Sequence, residues 1–180
     1  MRGEITDFKD SLRRRLALLK GVPEAALHEV YEQRLRLNPG AAELILACQA
    51  DGLKVLLVSG GFTFFTSRVA QAAGFHAHHA NTLTEADGAL TGQVGEPILG
   101  REAKLATLRQ EATLMGAPLS ATLAVGDGAN DLAMIEAAGL GVAYRAKPIV
   151  AAQAHARVEH TDLTALLYFQ GYAADAFVTD

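Results

Sequence analysis

The sequence predicts an α/β protein organised on a doubly wound parallel sheet, and three observations carry that expectation. Two apolar runs, at 54–58 and 123–125, each stop at small residues and lead into a helical pattern. A third apolar run, at 140–144, follows the second of those helices. Strands buried on both faces of a parallel sheet read as continuous apolar runs, and their alternation with helices is the pattern of βαβ units.

Composition sets bounds on the function. The chain has 180 residues, half of them hydrophobic, enough for one good core and a small appended lobe. A net charge of −4 excludes an overall basic field of the kind that holds nucleic acid or an anionic membrane. The single cysteine, Cys48, excludes an internal disulfide and suits a reducing compartment. No run reaches the length of a membrane span and the start carries no apolar signal region, so a cytoplasmic protein is expected.

Residues 1–37 are charged, strand-free and helical in pattern. Leu12, Leu16 and Leu19 share one face of a helix over about 7–20 that Gly21 ends, and Pro23 with Glu24 opens a second helix through Leu27, Val30 and Tyr31. Arg13, Arg14 and Arg15 point in three directions on that first helix, which reads as a solvated face rather than a nucleic-acid contact. Asn38-Pro39-Gly40 is the clearest boundary, so 1–37 is expected to be a helical lobe and 38–180 the α/β core. Within the core come a helix over 41–50 with Cys48 as packing, the strand over 54–58, and a helix over 62–73.

His76, His78 and His79 form a cluster whose spacing fits no usual zinc pattern. Residues 82–94 alternate about Asp87-Gly88, a hairpin signal and an expected flap on the sheet. The helix over 101–115 carries Lys104, which nothing local distinguishes from a solvent-facing lysine. After the strand at 140–144 the pattern gives a helix to about 155, a short strand at 157–160 and a closing helix at 163–169.

The chemistry concentrates at 122–143. Asp127 stands just past a strand, Asp131 at the following helix start, Asn130 between them, and glycines at 126 and 128. In open α/β sheets ligands bind at the carboxyl ends of strands, and two carboxylates near a phosphate suit Mg2+, which takes one or two protein carboxylates with water and substrate oxygens. The plainer alternative is that Asn130 or Asp131 caps the helix while Asp127 stays solvated. A dinucleotide fingerprint fails because its third glycine falls on Asp131. A calcium loop fails for want of alternating acids and a distal glutamate. Ser59 occupies the matching place after the strand at 54–58, where Gly60 and Gly61 let a phosphate approach the backbone N–H groups. A nucleophilic serine elbow needs glycine two residues earlier, where Leu57 stands.

Taken together, Val-Ser-Gly-Gly-Phe at 58–62, Asp-Gly-Ala-Leu-Thr-Gly at 87–92, Val-Gly-Asp-Gly-Ala-Asn-Asp-Leu at 125–132 and Ala-Lys-Pro at 146–148 resemble the phosphoserine phosphatase family of the haloacid dehalogenase superfamily, from Met1 to about Gln170. The resemblance implies a haloacid dehalogenase-like Rossmannoid core with a partial helical cap. It assigns phosphoryl contacts to Ser59, Gly60 and Asn130, and gives Lys104 the role of steadying the nucleophile and the phosphoryl charge. Asp127 becomes the Mg2+ ligand with Asp131 the acid beside it. Arg15 is implied to grip the substrate carboxylate, with Phe8 and Met1 as apolar cap residues nearby. The implied reaction is transfer of a phosphoryl group from phosphoserine, a small phosphorylated metabolite, to an aspartate and then to water.

One departure stands against these matches. The family opens its core with an apolar strand ending in Asp-x-Asp-x-Thr, whose first aspartate is the nucleophile. These 180 residues contain no Asp-x-Asp, and no apolar strand precedes residue 37. The expectation is a chain shortened at its amino end, its central first strand missing and its catalysis absent or impaired. The strands at 54–58 and 122–126 would then keep unpaired edges, which invite a homodimer or a rearranged sheet. The competing functions are a Mg2+-dependent phosphatase, a non-catalytic remnant that binds phosphate or Mg2+ or packs on a partner, and a phosphotransferase relative.

Overall fold

Most apolar runs that end at a glycine become strands, and most 3.6-residue patterns after them become helices. The structure, a computed structural model, describes residues 8–173. In chain order the elements are α1 (Phe8–Ala17), α2 (Glu24–Arg34), α3 (Ala41–Ala50), β1 (Leu56–Phe62) and α4 (Thr63–Ala73). Then come β2 (Ala77–Asn81), β3 (Leu83–Ala86), β4 (Ala89–Val94), α5 (Arg101–Leu114) and β5 (Leu123–Gly126). The chain continues through α6 (Leu132–Ala137), β6 (Leu140–Tyr144), α7 (Pro148–Ala151), β7 (Ala156–Val158) and α8 (Ala165–Phe169). These elements divide between two compact units, one made of the described residues up to Arg36 with Leu57–Ala72 and Ala77–Gly100, the other of Leu37–Leu56, Ala73–His76 and the described residues from Arg101 onward.

In the first unit β1 pairs with β2, and β3 pairs antiparallel with β4. The hairpin at Asp87-Gly88 forms as its sequence requires: both residues take positive φ, 52° and 75°, the condition for a tight turn whose twist matches the strands. Leu12 and Leu16 bury one face of α1 against Ile98, with Phe8, Phe62, Leu83 and Val94 around them. Backbone bonds from Gly21 N–H to Leu90 O at 2.8 Å and from Leu90 N–H to Val22 O at 2.8 Å tie the α1–α2 link to β4. The strand expected at 54–58 is displaced. It begins at Leu56 and runs through Ser59, Gly60 and Gly61 to Phe62, because neither glycine adopts a positive φ and the backbone stays extended.

The second unit is a parallel three-stranded sheet, β5-β6-β7, with Leu123 opposite Leu140 and Val142 opposite Ala156. Its pleat sorts the core into two layers. Val142 and Tyr144 of β6 pack with Val158 and Leu166, with Leu44, Leu123 and Val125 against them. Ala143 faces the other way, onto Leu132, Ile135 and Val150, while Ala124 packs on Met134 and Ala138. Helices thus cover both sheet faces, as a parallel sheet requires. Among the described residues β5 has a strand partner on one side only, β6.

Two of the clustered or late histidines, both in this unit, make paired bonds to main chain just outside or within a strand. His76 donates its N–H to Val55 O at 2.9 Å and accepts the Val55 N–H on Nδ1 at 3.0 Å. His155 repeats the arrangement with Gly141, donating at 2.9 Å and accepting on Nδ1 at 2.9 Å. Each ring adds a rung where a strand begins. In the first unit His78 Nδ1 lies 3.0 Å from Thr66 Oγ1. Among the described residues no helix is long and apolar enough to cross a membrane.

Candidate active site

The turn after β5 is built around one carboxylate. Asp131 stands at the cap position of α6 yet makes no side-chain bond to that helix. Its Oδ2 turns back instead and accepts the N–H groups of Asp127 at 3.1 Å and Gly128 at 3.0 Å. Its Oδ1 accepts a hydrogen bond from Lys104 Nζ. Asp131 is 3 % exposed and Lys104 9 %, so this is a buried, charge-assisted pair with every carboxylate oxygen occupied. The helix-cap alternative is therefore excluded for Asp131.

Gly126 is required for space rather than for backbone freedom. Its φ is not positive, but a Cβ there would lie 2.4 Å from Asp131 Cβ, far inside contact distance. Asn130 folds its Oδ1 over Gly128, where an added Cβ would meet it at 2.4 Å. The loop is also tied to the cap of α7 by Lys147 N–H donating to Asp127 O at 3.1 Å. Asp127 itself is exposed, as are Ala129 and Asn130.

The electrostatic result follows directly. Lys104 and Asp131 neutralise each other, and Asp127 remains as the carboxylate presented to solvent. A lysine ammonium has three donors, so Lys104 keeps two beyond its bond to Asp131. The local reading of Lys104 as an ordinary surface lysine is corrected here: the α5 face that carries it is buried. Among the described residues no three His, Cys, Asp or Glu side chains gather as a metal cage. A cation at this loop would be held by Asp127, water and ligand oxygens, a donor set that suits a hard ion.

Ser59, Gly60 and Gly61, expected just past the strand, lie instead within the carboxyl-terminal half of β1, in the other unit, and are held by neutral groups. Ser59 Oγ accepts the Gly61 N–H at 3.0 Å, which fills one lone pair and leaves the hydroxyl proton to donate elsewhere. Asn81, the last residue of β2, is 1 % exposed and donates Nδ2 to Gly60 O at 3.1 Å. Sequence reasoning missed Asn81. Its only signal was a polar residue closing a strand, which does not distinguish it from an ordinary turn residue. Phe8 of α1 borders this end of the strand, since a Cβ on Gly60 would lie 3.8 Å from Phe8 Cζ. Arg15 is exposed on α1 with its Nε donating to Ser11 O at 3.3 Å. Met1 lies outside the described residues.

The structure therefore gathers Lys104, Asp127, Asn130 and Asp131 in one unit, and Ser59, Gly60 and Phe8 in the other. Comparison with known proteins adds the lineage. Residues 2–136 match the model of the haloacid dehalogenase-like hydrolase family. The chain is 50% identical over 172 residues to a phosphoserine phosphatase of Albidiferax ferrireducens, covering 93% of this chain and 72% of that one. A crystal structure of a probable phosphoserine phosphatase from Vibrio cholerae superposes with a TM-score of 0.86 at 42% identity, over 89% of this chain and 50% of that one. A solved phosphoserine phosphatase described as a phospho-aspartyl intermediate analogue superposes with a TM-score of 0.84 at 38% identity, over 90% of this chain and 77% of that one. With that family match, that identity and the same α/β fold, the chain belongs to the phosphoserine phosphatases of the haloacid dehalogenase-like hydrolases.

Proposed function

We propose that these residues supply the phosphate grip and charge neutralisation of a Mg2+-dependent hydrolysis of O-phosphoserine. The observation that carries the reading is the buried Lys104–Asp131 pair beside the exposed Asp127. It gives one fixed cation for phosphoryl oxygens and one open carboxylate for a metal. Mg2+ held by Asp127, with Asp131 beside it, would offset negative charge on the phosphoryl oxygens. By the family resemblance Lys104 and Asn130 are proposed as phosphoryl contacts from one unit, and Ser59, through its hydroxyl proton, and Gly60 from the other. Arg15 takes the substrate carboxylate, with Phe8 and Met1 as its apolar surroundings.

In the implied reaction a carboxylate attacks phosphorus, the serine oxygen leaves with a proton, and water then cleaves the aspartyl-phosphate. The relative solved as a phospho-aspartyl intermediate analogue supports that course. The 180 residues hold no Asp-x-Asp, so the further proposal is that they do not turn over phosphoserine unaided and act as a phosphate- and Mg2+-binding body. The one-sided pairing of β5 favours association of copies through that edge, which sedimentation tests.

The deciding measurement is phosphate release from phosphoserine with Mg2+, run beside Asp127→Asn. No release by either, with inorganic phosphate still bound by the unaltered chain, is the expected result. Release that disappears in Asp127→Asn overturns the unaided-inactivity proposal and means a carboxylate is supplied by another copy. Absence of phosphate binding overturns the reading altogether.

A further inference from the structure

The phosphate-side end of β1, Ser59 to Gly61, depends on a buried amide that no ligand would touch. Asn81 Oδ1 accepts the Leu99 N–H at 2.7 Å, while Nδ2 donates to Gly60 O at 3.1 Å and to Leu99 O at 3.4 Å. A backbone N–H can only donate, so its partner must be Oδ1, and the amide orientation is settled with Nδ2 toward the Gly60 carbonyl. With 1 % of its surface exposed, Asn81 has its polar atoms committed to main chain.

The Gly60 carbonyl and the Gly61 N–H belong to one planar peptide and point in opposite directions. Holding the carbonyl at Asn81 therefore sends the N–H to Ser59 Oγ, where it sits at 3.0 Å. Glycine on both sides of that peptide imposes the least resistance to a flip of the plane. Flipped, the plane would aim a carbonyl at Ser59, and the serine hydroxyl would give its proton to that carbonyl instead of to a ligand. We infer that Asn81 is a positioning residue for Ser59: it fixes the 60–61 peptide and thereby keeps the Ser59 proton available to a phosphoryl oxygen. The inference rests on the phosphate role of Ser59 proposed above.

The test is a double-mutant cycle on the full chain, with inorganic phosphate and Mg2+ as the probe. Asn81→Asp keeps the acceptor for Leu99 and replaces the donor to Gly60 with an oxygen. It is expected to weaken phosphate binding about tenfold, the scale of one hydrogen bond to a charged group, and to shift the Gly61 amide resonance. Ser59→Ala is expected to lose a similar factor, and the double variant no more than Ser59→Ala alone. Multiplying losses in the double variant would mean independent structural damage and overturn the inference. An unmoved Gly61 amide or an unchanged affinity in Asn81→Asp would overturn it as well. If Ser59→Ala binds phosphate as the unaltered chain does, the phosphate reading of Ser59 is overturned instead. Asn81→Ala, which buries no charge, provides the same cycle if the aspartate prevents folding.

Discussion

The turn after β5 and the carboxyl end of β1 are made of similar ingredients, a strand, small residues and a following helix, and are held by different physics. Beyond β5 a buried ion pair organises the loop: Lys104 bonds Asp131, and Asp131 gathers the amides of Asp127 and Gly128. At the end of β1 a neutral amide does so, with Asn81 on the Gly60 carbonyl and Ser59 on the Gly61 N–H. The first arrangement gives a rigid electrostatic centre that is costly to unbalance. The second gives a backbone cradle whose geometry depends on one peptide plane, and whose loss costs orientation more than stability.

The largest effect should come from unbalancing the charged turn. Lys104→Met leaves Asp131 buried without its cation and is expected to destabilise the second unit by about 3–5 kcal/mol. Denaturant unfolding at neutral pH checks this, and adding Asp131→Asn to the same chain should recover part of the loss. A Lys104→Met variant as stable as the unaltered chain would show that the pair does not hold the turn.

Glycine substitutions separate the two sites next. Gly126→Ala drives a Cβ to 2.4 Å from Asp131 Cβ, and overpacking of that kind costs about 1–3 kcal/mol. Gly60→Ala meets nothing nearer than Phe8 Cζ at 3.8 Å, so its effect, read by the same denaturant unfolding, should stay below about 1 kcal/mol. Equal losses at the two sites would remove the distinction between a packed glycine at the end of β5 and an open one within β1.

The histidine rungs give a smaller contrast. His155→Leu removes an acceptor from the buried Gly141 N–H and should cost about 1 kcal/mol. His76→Leu should cost less, since its bond to Val55 is exposed. Asparagine at either position offers Oδ1 in place of Nδ1 and should restore most of the loss, read from the urea midpoint.

The smallest effect is a surface counterpart to the buried pair. Arg13 Nη2 lies 2.8 Å from Glu96 Oε1, and that hydrogen bond holds the Glu96 carboxyl below its usual 4.5. A lowered folded-state value means that the stabilisation is present above about pH 4.5 and is lost as pH falls below it. Glu96→Gln should flatten that part of the stability profile, and only slightly, because both side chains are in solvent.

Much of this architecture was legible in the chain. The helix at Ala41–Ala50 and the strand at Leu140–Tyr144 fall where periodicity and glycine put them, and the Asp87-Gly88 hairpin follows from turn chemistry alone. The strand start at Leu56 was not legible, because Val55 continues the apolar run and no turn residue separates it from Leu56. Lys54 and Val55 leave the ladder for contacts made far along the chain, Lys54 Nζ to Glu111 Oε2 at 2.6 Å and Val55 to His76.

By itself the sequence determined most strands and helices in order, though not β2 at Ala77–Asn81, together with the acidic loop after β5 and the Ser-Gly-Gly segment, since these depend on local steric preference and on the period of apolar residues. It also determined that no Asp-x-Asp pair is present in these 180 residues. Only the tertiary structure decided that Asp131 turns away from its own helix, that Lys104 is buried against it, and that Asn81 governs the 60–61 peptide. Those three outcomes join residues 18 to 27 positions apart or reverse a local preference, and local pattern does not reveal which buried polar groups will find one another.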